Sequence, residues 1–147
     1  MNHYPSAMDR YLKHPVSNGV AREQALIRRW WQEKQQGTEV LVWEYYLEGC
    51  FLDAVWFPQG VPFGQETPGK QAPDRFPLAG QPVVLCEVKL KFTPELIGQA
   101  LTYRQFVLEA GAELLDTVVF SETASAPLIR AAQNLGLTVA VAQKAQQ

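Results

Sequence analysis

The chain has 147 residues, with 13 Lys+Arg against 15 Asp+Glu, two cysteines, 47% hydrophobic and 11% aromatic residues. That length suits one domain, and the apolar and aromatic content excludes wholesale disorder. A net charge of −2 excludes a chain that holds polyanions by bulk electrostatics, so any nucleic-acid function must rest on a local site.

No stretch approaches the ~20 apolar residues of a membrane span, and the first residues show no basic stub followed by an apolar block. The expectation is a cytoplasmic protein without membrane association. Cys50 and Cys86 both lie in apolar runs. They predict core thiols rather than a disulfide or a metal pair.

In chain order, residues 17–36 carry a helical pattern, with Val20, Leu26, Ile27, Trp30 and Trp31 forming one apolar stripe and Gly37 ending it. Residues 38–48 read as a strand and 50–57 as a second, with Gly49 at the turn. Residues 58–82 hold six of the ten prolines (Pro58, Pro62, Pro68, Pro73, Pro77, Pro82) and four of the ten glycines. Their charges, Glu66, Lys70, Asp74 and Arg75, balance, and the segment predicts a long irregular loop inside the domain.

Residues 82–90 form a third strand of Val/Leu/Cys character. Thr93, Pro94 and Glu95 open a helix: Thr caps, Pro takes the first position, and Glu faces the positive dipole end. That helix runs to about Ala110, before Gly111. A short buried strand (116–121), a helix (125–135) closed by Gly136 and a last buried strand (137–142) follow, and the polar tail 143–147 is expected to fray. The order α-β-β-β-α-β-α-β predicts a single α/β domain over 1–147, a mixed central sheet flanked by helices.

Four features break the packing pattern. Asp53 is the only charge in an eight-residue run that is apolar on both faces; alone, it fits a strand-end residue or a structural ion pair. Glu87 and Lys89 end an apolar strand and project from one face, while Val88 packs into the other. Glu23 shares a helical row with Leu26, Ile27 and Trp30, which turns it inward, against the usual solvent-facing position of a helical Glu. Gln99 and Tyr103 share one helix face, with Arg104 beside them; surface hydrogen bonding would account for them equally well.

Together these residues supply two or three inward carboxylates, a lysine and an amide. A hard divalent cation takes one or two protein carboxylates and completes its octahedron with water and phosphate oxygens. No His/Cys cluster suits zinc, since His3 and His14 lie in an irregular N-terminal segment. No nucleophile elbow and no glycine-rich phosphate loop occurs.

This succession resembles the PD-(D/E)xK nuclease superfamily, the restriction-endonuclease-like fold. The matching positions are Glu23 on a helix, Asp53 on a hairpin strand, Glu87-Val88-Lys89 on the next strand, and Gln99 with Tyr103 on the following helix. The back half, from Thr117-Val-Val-Phe-Ser-Glu onward, is also similar, so the resemblance spans 19–142. Leu52 stands where that family often has proline, and the loop at 58–82 accounts for a long separation between Asp53 and Glu87.

The resemblance implies an αβββαβ core and a Mg²⁺- or Mn²⁺-dependent endonuclease acting on DNA. In it, Asp53, Glu87 and the Val88 carbonyl would hold the metal, and Glu23 would support a second ion or order a bound water. Lys89 would position the attacking water or neutralise charge on the phosphate, with Gln99 and Tyr103 hydrogen-bonding around it. Arg22, Lys91 and Arg104 are candidates for phosphate contacts, or residues of a solvated face. A catalytically inactive module of the same fold, binding DNA or a partner protein, is the alternative.

A plainer reading also stands, in which the carboxylates form internal ion pairs. Trp30, Trp31, Trp43 and Trp56 suit a core or a subunit interface, and the apolar strand at 40–47 could pair one face with another subunit. A homodimer, or a larger assembly supplying specificity, is therefore an expectation. Glu44 lies on that strand and is left out of the site for want of a strand register.

Overall fold

The computed structural model describes residues 18–34, 40–59, 65–69 and 72–142. His3, His14, Gly37, Thr38, Lys70 and the tail 143–147 lie outside the described residues. The elements run α1 (Asn18–Lys34), β1 (Val40–Leu47), β2 (Cys50–Phe57), β3 (Gln65–Pro68), α2 (Ala72–Arg75), β4 (Pro82–Val88), α3 (Pro94–Glu109), β5 (Glu113–Ser121), α4 (Ala126–Asn134) and β6 (Thr138–Val141). One six-stranded sheet has the order β3-β1-β2-β4-β5-β6. Pairs β1/β2 and β2/β4 are antiparallel, whereas β1/β3, β4/β5 and β5/β6 are parallel, so the sheet is mixed and the chain is α/β.

Helices cover both faces of this sheet. Ile27 and Trp31 of α1 pack on Leu41, Trp43, Ala54, Val84, Cys86, Val88, Val118 and Phe120. On the other face Val107 of α3 joins Val40, Val42, Tyr45, Leu52, Val55, Val83 and Leu85. Leu96, Ile97 and Ala100 of α3 meet Ala132 of α4 over Val119. The central strand β4 is buried on both sides, which is why its sequence is a nearly unbroken apolar run.

Three expectations need correcting. The segment 58–82 is not wholly irregular: it contains β3, an edge strand parallel to β1, and the single turn α2. Four residues of mixed polarity carry too weak a period to be read as a strand, and only pairing along β1 makes them one. Thr93 stands at the N-cap of α3 with extended backbone, but its hydroxyl makes no capping bond and is buried without a partner; its carbonyl accepts the Leu96 N–H instead, at 3.1 Å. Last, both faces of β1 are covered within the chain from Val40 to Trp43 and again at Tyr45, so Tyr46 is the apolar side chain this strand leaves for a partner.

The Trp residues are core: Trp31 and Trp43 are buried, and Trp30 meets Trp56 and Phe120 edge-on at 5.5 and 5.3 Å. Cys86 is buried and Cys50 half-buried, both as free thiols. Among the described residues no helix is long and apolar enough to cross a membrane.

Candidate functional site

The site begins at an irregular rung of the β1/β2 hairpin. Early in β1, Val40 and Val42 face the α3 side while Leu41 and Trp43 face α1. Alternation would send Glu44 to the α3 side, yet Tyr45 packs there instead. On β2, Val55 and Phe57 face α3, and that face is resumed by Leu52 rather than Asp53. The pairing is interrupted for one rung, since Trp43 pairs with Ala54 and Tyr45 with Leu52 while Glu44 and Asp53 are not partners. Glu44 and Asp53 are therefore the two residues left out of the ladder where the pleat is reset on both strands.

The backbone cause is Glu44, whose φ of 51° lies in the left-handed region. For a residue with a Cβ this costs on the order of 1 kcal/mol. Gly69, at the end of β3, accommodates the turned peptide: a Cβ there would collide with the carbonyl oxygens of Trp43 and Glu44.

Asp53 also marks the point where β2 parts from β4. The ladder runs through Trp56 opposite Val84, Val55 opposite Leu85 and Ala54 opposite Cys86, and then stops. At the next rung side chains replace it. The Asp53 N–H donates to Glu87 Oε2 at 2.8 Å, and the Val88 N–H donates to Asp53 Oδ2 at 2.8 Å. Two carboxylates thus close the fork that two strands leave open.

Both are held in an environment hostile to their charge. Glu87 is fully buried; no N–H or hydroxyl donor reaches its second oxygen, Oε1, and its carboxyl is hydrogen-bonded to that of Asp53 through a proton the two acids can share. Burial, then the neighbouring Asp53 charge, pushes the Glu87 carboxyl well above the usual carboxylate range. Burial likewise lifts Asp53 to about 6, against the lowering pull of the Val88 N–H, with Glu23 raising it further and Lys89 opposing. The two carboxyls titrate together, and each holds its proton to higher pH than an ordinary carboxyl.

Lys89 follows β4 directly, and two bonds to β5 fix its backbone. Its N–H donates to the Phe120 carbonyl at 3.1 Å, and the Ser121 hydroxyl donates to the Lys89 carbonyl at 2.8 Å. The Lys89 ammonium sits 3.6 Å from Glu95 Oε1 on the first turn of α3. Its charge still acts on Glu23, Asp53 and Glu87, lowering the pKa of each.

Glu23 lies half-buried on α1, where burial raises its carboxyl. The buried row of that helix is Gln24, Ile27 and Trp31, so of the predicted row Glu23, Leu26, Ile27 and Trp30 only Ile27 is fully buried and the other three form its flank. Of the predicted apolar stripe, Ile27 and Trp31 enter the core while Leu26 and Trp30 pack at its edge, because the large Trp31 ring centres the buried face. Glu23 consequently borders a cavity of about 110 Å³ lined also by Gln24, Ile27, Trp43, Glu44, Asp53 and Val88.

On α3, Gln99 hydrogen-bonds the Tyr103 phenol and draws its pKa down. Burial, with the electrostatic influence of the nearby Cys50, Glu87 and Asp53 side chains, outweighs that bond and leaves the phenol above its ordinary value. The helix pair thus borders the two carboxylates.

Two of the three basic candidates are engaged elsewhere. Arg22 forms a two-pronged ion pair with Glu122. Arg104 donates to the Leu135 carbonyl at 3.0 Å, closing the C-terminus of α4. Lys91 is exposed beside Thr123.

Among the described residues no three His, Cys, Asp or Glu side chains converge closely enough to form a metal cage of their own. That arrangement does not suit zinc. It does suit Mg²⁺ or Mn²⁺, which keep several waters and need only one or two carboxylates. An all-oxygen donor set with a buried Glu87 Oε1 that no N–H or hydroxyl donor reaches fits such an ion, with Asp53 and the Val88 carbonyl as companions.

Two participants escaped the sequence. Glu44 was visible as a charge in an apolar strand, but its placement depends on a left-handed residue that alternation cannot anticipate. Glu66 of β3 accepts from Arg28 Nε and from Trp43 Nε1, each at 2.9 Å, so a loop charge anchors α1 and β1 beside the site. No family model, curated protein or solved structure matches this chain.

Proposed function

We propose that the chain is a metal-dependent nuclease of the restriction-endonuclease-like type, hydrolysing DNA phosphodiester bonds at Asp53, Glu87 and Lys89. The observation that carries this reading is the reciprocal clasp of Asp53 and Glu87 at the β2/β4 fork, with Glu87 Oε1 buried and reached by no N–H or hydroxyl donor. A structural ion pair would have supplied a cation to that oxygen.

Asp53, Glu87 and the Val88 carbonyl would hold Mg²⁺ or Mn²⁺. Bound there, such an ion supplies positive charge to a phosphate oxygen and lowers the pKa of a water. Glu23 borders the adjoining cavity and would orient water within it. Lys89, pinned by β5, would carry its ammonium to the phosphate once Glu95 releases it; that contact, at 3.6 Å between a half-buried lysine and an exposed glutamate, is weak. Gln99 orients the Tyr103 hydroxyl, which remains protonated and so can donate to a phosphate oxygen. DNA reaching this site meets a protein of the cytoplasm, as the composition suggested.

The test is nicking of supercoiled plasmid and of a branched duplex with Mg²⁺ or Mn²⁺, comparing the wild type with Lys89→Ala. Cleavage by the wild type and its loss in a folded Lys89→Ala protein is the expected result. Full activity in that variant overturns the reading.

One observation favours a second reading, a catalytically inactive module binding DNA or a protein. Of the three basic candidates, Arg22 and Arg104 are committed to Glu122 and Leu135, which leaves Lys91 among them. That reading predicts no cleavage with any divalent metal and a melting temperature indifferent to Mg²⁺.

A further inference from the structure

We propose that the open edge of β6 is a dimer interface, where a second copy of this chain docks its own β6 antiparallel about a two-fold axis at Ala140. The two edges of the sheet differ in kind. At one end β3 carries Glu66 and Pro68, a charge and a residue without an N–H, which keep an edge from pairing. At the other end β6 has neither, and no charged residue occurs between Arg130 and Lys144. Among the described residues the outer side of β6 pairs with nothing.

The hydrogen bonds to β5 fix which groups of β6 are on offer. The Ala142 N–H donates to the Ser121 carbonyl at 2.9 Å, so by alternation Thr138, Ala140 and Ala142 turn their backbone groups to β5. Val139 and Val141 turn theirs to the open side. Two such strands laid antiparallel satisfy every one of these groups, because Val139 of each copy exchanges both its bonds with Val141 of the other. Ala140 then meets its own counterpart on the axis, in a non-hydrogen-bonded pair with Cα atoms ~4.5 Å apart, where a small side chain fits.

The surroundings are self-complementary as well. Between α1 and Ala140 lies an apolar pocket of about 180 Å³ walled by Leu26, Trp30 and Phe120. Arg29 and Glu33 stand on its rim one helical turn apart, both exposed, and among the described residues neither has an ion-pair partner. A two-fold axis at Ala140 reverses their order in the second copy and turns opposite charges toward each other across the joined pockets. A partner of one charge sign would match only half of this rim.

The experiment is light scattering on the full-length protein across micromolar concentrations, for the wild type, Val141→Pro and Ala140→Cys, with circular dichroism of each. Val141→Pro removes an N–H that β5 does not use, so the chain's own sheet is kept. The expected wild-type mass is twice 16.5 kDa, with dimerisation at least about tenfold weaker in Val141→Pro, which loses its outward N–H in both copies. Mild oxidation should join Ala140→Cys into a covalent dimer, since ~4.5 Å lies within disulfide reach, while the wild type with its native thiols stays uncrosslinked. If Val141→Pro fails to fold, the cross-link decides alone. A wild type that is monomeric at every concentration overturns the proposal and leaves the edge to a strand of another protein. A dimer that folded Val141→Pro leaves intact, or that Ala140→Cys does not cross-link, overturns it too.

Discussion

Asp53 and Glu87 are joined across the point where β2 leaves β4, the backbone of the first donating to the side chain of the second at 2.8 Å. The Asp53 side chain accepts in turn from the Val88 N–H, so each residue gives one group to the other strand. A ladder rung is replaced by two acids that neither strand needs for pairing. Such an arrangement is costly when both acids are charged, so a proton or a cation must offset it, and most of the testable consequences follow from that cost.

Stability should fall as the pH rises. Both carboxyls have folded-state pKa values above their unfolded ones, Asp53 at about 6, so the folded chain binds more protons than the unfolded chain. Their favourable contribution is complete below the unfolded value of about 4 and is lost as the pH climbs through about 6 and beyond. Metal-free protein should melt several degrees lower at pH 8 than at pH 5 in chelator. A flat profile would contradict the pairing.

Neutralising the pair should stabilise the metal-free protein. Asp53→Asn keeps an oxygen for the Val88 N–H, and Glu87→Gln keeps one for the Asp53 N–H. Each should raise the melting temperature at pH 8 by a few degrees, on the order of 1 kcal/mol, and abolish any rise on adding Mn²⁺. Scanning calorimetry with and without the ion reads both effects.

Gly69→Ala should be markedly destabilising. Its methyl would strike the backbone carbonyls of Trp43 and Glu44, atoms that cannot move without breaking β1. A loss of about 2–3 kcal/mol is expected in urea unfolding, at the upper end of overpacking costs. Gly98→Ala, on α3 with open space around its Cβ, serves as the control and should be neutral or stabilising.

Glu66→Ala should loosen α1 from β1. Glu66 takes the Arg28 Nε–H and the Trp43 Nε1–H, and Arg28 also stacks on the Trp43 ring at 5.3 Å from its centroid. Removing the carboxylate leaves Arg28 and the Trp43 N–H without their acceptor, a loss of about 1–3 kcal/mol. Glu66→Gln should recover part of it, and amide exchange in β3 should report the loosening.

The candidate site was partly legible because its residues violate local patterns. Asp53 and Glu87 are acids inside apolar runs, and burial made both anomalies visible in one dimension. Gln99 and Tyr103 followed from helical spacing, which holds whatever the helix packs against. Glu23 was placed on the buried stripe but lies on its flank, since a few tens of degrees of helix rotation are decided by which tryptophan enters the core. Arg22 and Arg104 could not be sorted from site residues, because their partners Glu122 and Leu135 are distant in the chain.

What the sequence by itself determined was the alternation of elements, the mixed sheet and the list of misplaced charges. These follow from periodicity and from glycine and proline positions, which act over a few residues. Only the tertiary structure decided that β3 pairs with β1, that the pleat resets at Glu44 and Asp53, and that no N–H or hydroxyl donor reaches the second Glu87 oxygen. Each of those depends on which strand lies beside which, and on where a backbone can turn left-handed because a glycine just past a neighbouring strand makes room.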